Sequence, residues 1–199
     1  MNLNLQNGVQ IVPAGGTSVA RGGRGSDLLV SQLRGKYYQT NADGNLFSVA
    51  NQAAVTTTAA LATTFTGLAV GNPVGSGVNL AIKSFIASQF AVGAAGAVGI
   101  MGGSGSITAS LTPISRQIGS GTLSRTNATA GQTISTPLLI ATYGSLGSLA
   151  TTGYGLVNSI QPEIDGAIIV PPGSFIASYT TIVTTSALIF GFVWEEVPI

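Results

Sequence analysis

The clearest alternation of apolar and polar positions lies at the end of the chain, in SALIFGFVWEEVPI, residues 186–199. Its two-residue period predicts a β-strand whose core face carries Leu188, Phe190, Phe192 and Trp194. The opposite face carries Ile189, Gly191 and Val193, and it is also apolar. We therefore expect this strand to be covered on both sides, and we predict Ile189, Val193 and Trp194 as part of an oligomer interface.

From Leu46 onward, runs rich in Thr, Val and Ile alternate with turn signals of Gly, Pro and Asn, and no stretch predicts a helix. The segment FTGLAV ends near Asn72-Pro73, and a long strand candidate, VNLAIKSFIASQF, begins at Val78. This order predicts a hairpin. Nearer the C-terminus, a strand after Pro171-Pro172-Gly173 places Phe175, Ala177 and Tyr179 on one face.

These patterns predict an all-β fold, a jelly-roll-like antiparallel β-sandwich built by residues 46–199. Residues 1–45 are predicted to form an extended N-terminal arm. Leu3 alternates with Leu5 and Val9 with Ile11, as in short pieces of strand, and GGTSVARGGRGS looks like a flexible connector. Such an arm could pair with the sheet edge of a neighbouring molecule, whereas a disordered tail is the alternative.

An internal similarity raises the question of duplication. The string SFIAS occurs at 84–88 and at 174–178, and LATTFTGL at 61–68 resembles LATTGYGL at 149–156. The matches keep the same order at nearly the same spacing. Either the two halves of the chain share a strand-turn-strand plan, or core Phe residues alternating with small residues have converged on the same string.

The charge content indicates a protein that lives in an assembly. Charged residues make up 7% of the chain and the net charge is +1, where a typical soluble domain carries about 25% charged residues. Little repulsion or ion desolvation opposes association of such surfaces. Gly and Pro interrupt the long uncharged stretch between Arg125 and Glu163, which argues against a membrane helix, and the N-terminus lacks the pattern of a signal peptide. We expect a chain made in the cytoplasm.

Two missing residue types exclude much enzyme chemistry. The chain has no Cys and no His, so thiolate nucleophiles, the common zinc sites and Ser-His triads are absent. Glu163 and Asp165 either bind a hard cation or lie in a solvated turn before the strand AIIV. Glu195 and Glu196 either set register against a neighbouring cation or keep an apolar edge from aggregating. We expect no enzyme activity and no cofactor.

Four of the seven basic residues lie close together near the N-terminus: Arg21, Arg24, Arg34 and Lys36. Spread over 16 positions, they offer few phosphate contacts, so we do not expect nucleic acid as a partner. We expect them to dock the arm on an acidic protein surface.

The run RGKYYQTNADGNLFSVANQAAVTTTAALATTFTGLAVGNPVGSGVNLAI, from Arg34 to Ile82, and the ending FGFVWEEVP resemble structural proteins of tailed bacteriophage virions. The resemblance covers about half of the chain and carries no catalytic signature. It implies a trimeric jelly-roll cement or decoration protein on the capsid surface, with the major capsid protein as partner and no small-molecule substrate. A major jelly-roll coat protein, whose basic arm faces the genome, and a receptor-binding fibre or tail tip are the alternatives.

Overall fold

The computed structural model describes residues 35–89, 91, 95–146, 159–184 and 187–199, which form two antiparallel β-sheets packed face to face. Sheet 1 contains β1 (Leu46–Ala50), β3 (Val78–Gln89), β5 (Ile114–Ser115), β8 (Ser159–Ile160), β9 (Glu163–Val170) and β11 (Leu188–Pro198). Sheet 2 contains β2 (Thr64–Asn72), β4 (Gly96–Ser104), β6 (Asn127–Thr133), β7 (Leu138–Leu146) and β10 (Ser174–Thr180).

The pairing of eight of these strands is nested from the chain ends inward. β1 pairs with β11, β2 with β10, β3 with β9, and β4 with β7. This is the pairing of one long antiparallel ribbon. The ribbon is rolled up, because β11 also pairs with β3 and β10 with β4. The resulting orders, β1-β11-β3-β9 and β2-β10-β4-β7, are those of a jelly roll, so the predicted fold class is confirmed.

The main core lies between the sheets and is centred on β11. The predicted core face of this strand is confirmed, since Leu188, Phe190, Phe192 and Trp194 are at most 1% exposed. The ring of Phe85 on β3 lies 6.0 Å from that of Phe190 and 5.1 Å from that of Phe192, measured between centroids. Offset and tilted ring pairs at these distances add to the burial energy, so β3 and β11 are joined by side chains as well as by backbone hydrogen bonds.

A β-bulge at Lys83 sets which residues of β3 face this core. Ile82 pairs with Trp194 and Ser84 with Val193, which leaves Lys83 without a partner position on β11. Before the bulge Leu80 and Ile82 are buried, and after it Phe85 and Ala87 are buried, so the parity of the strand changes. One extra residue therefore keeps both halves of β3 packed on the core.

A second, smaller core covers the outer face of sheet 2. Its strand residues are Phe65, Ala69, Met101, Phe175 and Ala177, with Tyr179 packed against them. Ile107 and Ile134, from the connections after β4 and β6, lie over this face. The predicted shared face of Phe175, Ala177 and Tyr179 is confirmed, and one face of the sandwich is covered by the chain itself.

The predicted hairpin of β2 and β3 is wrong, because these strands belong to different sheets. The chain crosses between the sheets just after Asn72, whose side chain is 1% exposed. Its Nδ2 donates to the carbonyl of Val78 at 2.8 Å and to that of Val170 at 2.9 Å. Asn51 makes a similar link, since its Nδ2 donates to the carbonyl of Gly67 at 2.9 Å. Buried amides thus hold the sheets together where the sequence indicated only a turn.

The two SFIAS strings have no equivalent places in the fold. In β3, Phe85 and Ala87 face the main core. In β10 the parity is reversed, because Ile176 faces the main core while Phe175 and Ala177 face the second one. The strings also lie in different sheets, which favours convergence over duplication. The other repeat, at 149–156, lies outside the described residues.

One helix, α1 (Tyr38–Ala42), occurs in the described part of the chain, within the stretch 1–45 predicted as an extended arm. It is a single turn, closed by a hydrogen bond from the Asp43 amide to the Gln39 carbonyl at 2.9 Å, and is too short to leave a helical period in the sequence. Among the residues described, no helix qualifies as a candidate membrane span.

The strands belong to one compact unit, Gln39–Ile199, and Met1–Tyr38 is assigned to another. The predicted boundary between residues 45 and 46 stays a prediction.

The links made by Asn72 give a first testable prediction. Replacement of Asn72 by Ala leaves two buried carbonyls without their donor, so we expect the free energy of unfolding to fall by about 2–4 kcal/mol. Asn79→Ala, a change of the same type at a half-buried position of β3, is the control and is expected to cost under about 1 kcal/mol. Urea unfolding followed by tryptophan fluorescence measures both, and equal losses would contradict the role of Asn72.

Candidate interaction surface

The acidic residues Glu163 and Asp165 lie close together at the start of β9. Glu163 and Asp165 are exposed, as predicted for a solvated position, but they belong to β9 rather than to a turn before it. Asp165 has φ 53° and Gly166 φ 84°, so the strand is locally distorted there. No third acidic residue joins them as a possible metal ligand among the residues described.

The residues predicted as an oligomer interface do not share one face of β11. Ile189 is half-buried and Val193 is 8% exposed, on the outer face of sheet 1. Trp194 is fully buried and stacks on Phe47, with ring centroids 6.4 Å apart. A single chain therefore accounts for the burial of Trp194 without a partner. That these residues form an oligomer interface stays a prediction.

Residues 1–34 of the predicted arm lie outside the described residues. This applies to Arg21, Arg24 and Arg34, while Lys36 is described and exposed. The docking of these residues on an acidic surface stays a prediction.

The two glutamates at the end of β11 have different environments. Glu195 is partly exposed, with a side chain 24% accessible, and its Oε2 lies 2.6 Å from Lys83 Nζ in the same sheet. Glu196 is 5% exposed. Its Oε1 accepts hydrogen bonds from Ser124 Oγ at 2.5 Å and from the Arg125 amide at 2.9 Å. Glu196 thus ties the connection between β5 and β6 to the last strand, which is a role within the chain.

The two lateral sides of the sandwich differ in how their edges are covered. On one side β5 pairs with β1 and β6 pairs with β2, so short strands from the β4–β7 connection extend both sheets. On the other side β7 pairs with β4 and β9 with β3, and no further strand of the described residues pairs with β7 or β9. In the part of the chain that the structure describes, the edges of β7 and β9 are therefore open.

An apolar groove lies between these two open edges, and we call it the edge groove. It has a volume of about 220 Å³. The described residues that line it include no charged side chain: Gly102, Gly103, Ile140, Ile168, Ile169, Val170, Pro171, Ser174, Phe175 and Ile176. Ile140 is 46% exposed and Ile169 is 58% exposed, and Leu138 and Leu139 extend the apolar surface along β7.

Local backbone features shape this groove. The register of β4 against β7 shifts twice, which leaves Ile140 and Tyr143 without partner positions on β4. A Cβ atom on Gly102 would lie 2.9 Å from Ile140 Cδ1 and 2.8 Å from the Phe175 carbonyl oxygen, so glycine makes room here. Tyr143 turns toward the core beside Phe85, and burial raises the pKa of its hydroxyl. The bulges therefore interrupt the backbone ladder between β7 and β4 at two points.

An exposed, uncharged sheet edge is a favourable place for another polypeptide to bind. Natural sheet edges are usually protected by charges, by Pro, by bulges or by a covering segment. β7 has bulges but no charged residue. Leu138, Leu139 and Ile140 of β7 and Ile169 of β9 all expose apolar side chains, and exposed apolar surface is common at protein interaction sites. Sequence reasoning misses it, because the groove forms only when β7 and β9, from different sheets, meet at the same side of the sandwich.

A second exposed apolar region lies in the connection between β4 and β6. Ile118 is 88% exposed and Leu123 is 81% exposed, beside a shallow concavity of about 270 Å³ formed by residues 112–123. All its lining residues come from this one loop, whereas the edge groove joins two sheets. We therefore take the edge groove as the main candidate site.

Comparison of the chain with protein-family models, curated proteins and solved structures finds no match.

The contrast between the two glutamates gives a second prediction. Glu196→Ala leaves the Ser124 hydroxyl and the Arg125 amide without their charged acceptor, so we expect a loss of about 2–3 kcal/mol in the free energy of unfolding. Glu195→Ala removes a partly exposed ion pair and is expected to cost under about 1 kcal/mol. Urea unfolding of both variants measures the difference. A larger cost for Glu195→Ala would overturn this assignment.

Proposed function

We propose that this chain is a non-enzymatic structural protein of a virus particle, a cement or decoration protein that binds the outside of a phage head. The observation that carries the proposal is the edge groove, an open and uncharged apolar surface on an otherwise well-packed β-sandwich. Such a surface serves binding to protein rather than chemistry. The resemblance of residues 34–82 to tailed-phage virion proteins supplies the context.

The low charge of the whole chain supports a role in an assembly. With 7 basic and 6 acidic residues among 199, the chain has few charges that association would desolvate. A freely dispersed protein usually relies on such charges for solubility. Surfaces of Ser, Thr, Gly and Ala instead allow close contact over large areas at small desolvation cost.

The jelly-roll topology is compatible with the proposal. This fold occurs in viral capsid proteins but also in lectins and cupins, so function has to be argued from sites. Cupin-type metal chemistry receives no support, because the chain lacks His and the described residues contain no group of three possible metal ligands. The resemblance to phage virion proteins favours the capsid role over the lectin role.

The mechanism of a cement protein is the addition of interface area. Each copy binds across a junction of the shell, and binding to the assembled state stabilises that state by mass action. Interfaces of roughly 1,000 Å² or more, repeated over a shell, suffice for this effect. We propose a homotrimer with the major capsid protein as partner. In this scheme the basic residues Arg21, Arg24, Arg34 and Lys36 dock the arm on an acidic patch of the capsid.

Reconstitution of virion shells tests this function and separates it from the alternatives. Shells are assembled from the virion genes of the source genome with this chain omitted, and the purified chain is then added back. A cement protein predicts that shells form without the chain, and that added chain binds them and raises their disruption temperature. Failure of shells to form would indicate a coat protein instead. Unchanged shells together with glycan binding would indicate a fibre tip.

A charge variant of the chain tests the docking role of the arm. Replacement of the four basic residues by Gln removes their attraction to an acidic surface but leaves the β-sandwich untouched. We expect at least a tenfold weaker affinity for shells at low salt and a smaller difference at high salt. Equal affinity of both proteins at low salt would contradict the docking role of these residues.

A further inference from the structure

We propose that the edge groove binds the uncharged N-terminal segment, residues 1–12, of a second copy of this chain. The proposal goes beyond the cement role and does not depend on it, because it concerns how copies of the chain bind each other. It assigns an occupant to the open side of the sandwich, and it divides the arm into a part that binds a neighbouring copy and a part that carries the positive charge.

The first argument is the match in charge and polarity. The first 20 residues contain no Asp, Glu, Lys or Arg, and the first cation of the chain is Arg21. The described lining of the edge groove is also uncharged. An apolar groove accepts side chains without charge and so avoids the burial of an unpaired ionised side chain. The basic residues from Arg21 to Lys36 do not fit such a groove.

The second argument is the spacing of apolar residues in the segment. Leu3 and Leu5 lie on one face of an extended chain, and so do Val9 and Ile11. Peptides that bind beside a sheet edge place alternate side chains into pockets of this kind. The groove volume of about 220 Å³ is below the roughly 300–1,000 Å³ of small-molecule sites, so it suits side chains of a peptide better than a cofactor.

The third argument is reach. Residues 1–34 precede the described part of the chain, and at about 3.3 Å per extended residue they can span up to about 110 Å. The stretch from Gly15 to Ser26 contains five glycines, a composition typical of flexible connectors. An arm of this length reaches a neighbouring molecule without strain.

The symmetry of such an exchange links it to the proposed trimer. In the proposed trimer each copy donates its segment to the next copy and accepts one from the previous copy, so the contact is head-to-tail rather than two-fold. Head-to-tail contacts form a closed ring when the rotation between copies closes, and a filament when it does not. A ring of three copies satisfies every groove and every N-terminal segment.

Engineered disulfides test the contact directly, because the natural chain has no Cys and any disulfide comes from the introduced pair. Full-length Leu5→Cys is co-expressed with a tagged full-length Ile169→Cys chain, and the pair is oxidised. We expect a disulfide-linked heterodimer in at least tenfold higher yield than with Ile118→Cys. The control position is the more exposed of the two, at 88% against 58%, so access alone favours the control.

A peptide measurement checks the same contact without oxidation. In the full-length chain with Leu3→Asp and Leu5→Asp, we expect the N-terminal segment to leave the edge groove. A labelled peptide of residues 1–12 should then bind the vacated groove. Adding Ile169→Glu is expected to weaken peptide binding at least tenfold, because a charge then enters the groove. Adding Ile118→Glu should leave the affinity within about twofold.

Equal disulfide yields with Ile169→Cys and Ile118→Cys would overturn the proposal, and so would peptide binding that Ile169→Glu leaves unchanged. A third test uses one chain that carries both Leu5→Cys and Ile169→Cys. If this chain forms only an intramolecular disulfide, the segment binds its own groove and the proposal is wrong. None of these results bears on binding to virion shells, so failure here is distinguishable from failure of the cement role.

Discussion

The pairing of β3 with β11 is the contact on which the rest of the structure depends. It joins Val78–Gln89 to the last residues of the chain through a ladder that runs the whole length of β11. The aromatic rings of Phe85, Phe190 and Phe192 lie along this ladder and fill the main core. Since β11 lies between β1 and β3, sheet 1 is complete only when the C-terminal strand is in place.

The rolled ribbon that follows from this pairing leaves the two sides of the sandwich unequal. The long connection between β4 and β7 returns to the β1–β2 side, where β5 and β6 extend the sheets and Glu196 holds the connection to β11. The β7–β9 side receives no such cover from the described residues, and the edge groove lies there. The exposed charges of this side are those of Glu163 and Asp165 at the start of β9, while β7 and the groove lining carry none, and a partner polypeptide is one physical means of covering them.

The sequence predicts individual strands and their faces much better than it predicts which strands meet. The two-residue period of side chains in β11 and in β10 is local and strong. The structure confirms the predicted core face of β11 and the predicted shared face of β10. Whether β2 forms a hairpin with β3 or crosses to the other sheet depends on buried links such as those of Asn72, which no local pattern indicates. The bulge at Lys83 and the differing parity of the two SFIAS strings have the same origin, since both are set by partner strands distant in sequence. The edge groove was beyond sequence reasoning for this reason.

The central claim, that this chain works as an assembly, is tested most directly by the mass of the purified full-length protein in solution. Light scattering after size exclusion, over a range of concentrations, measures that mass. The account predicts a closed species of three chains whose mass does not grow further with concentration. A stable monomer at every concentration would contradict it, because the open side of the sandwich would then persist in water without a partner.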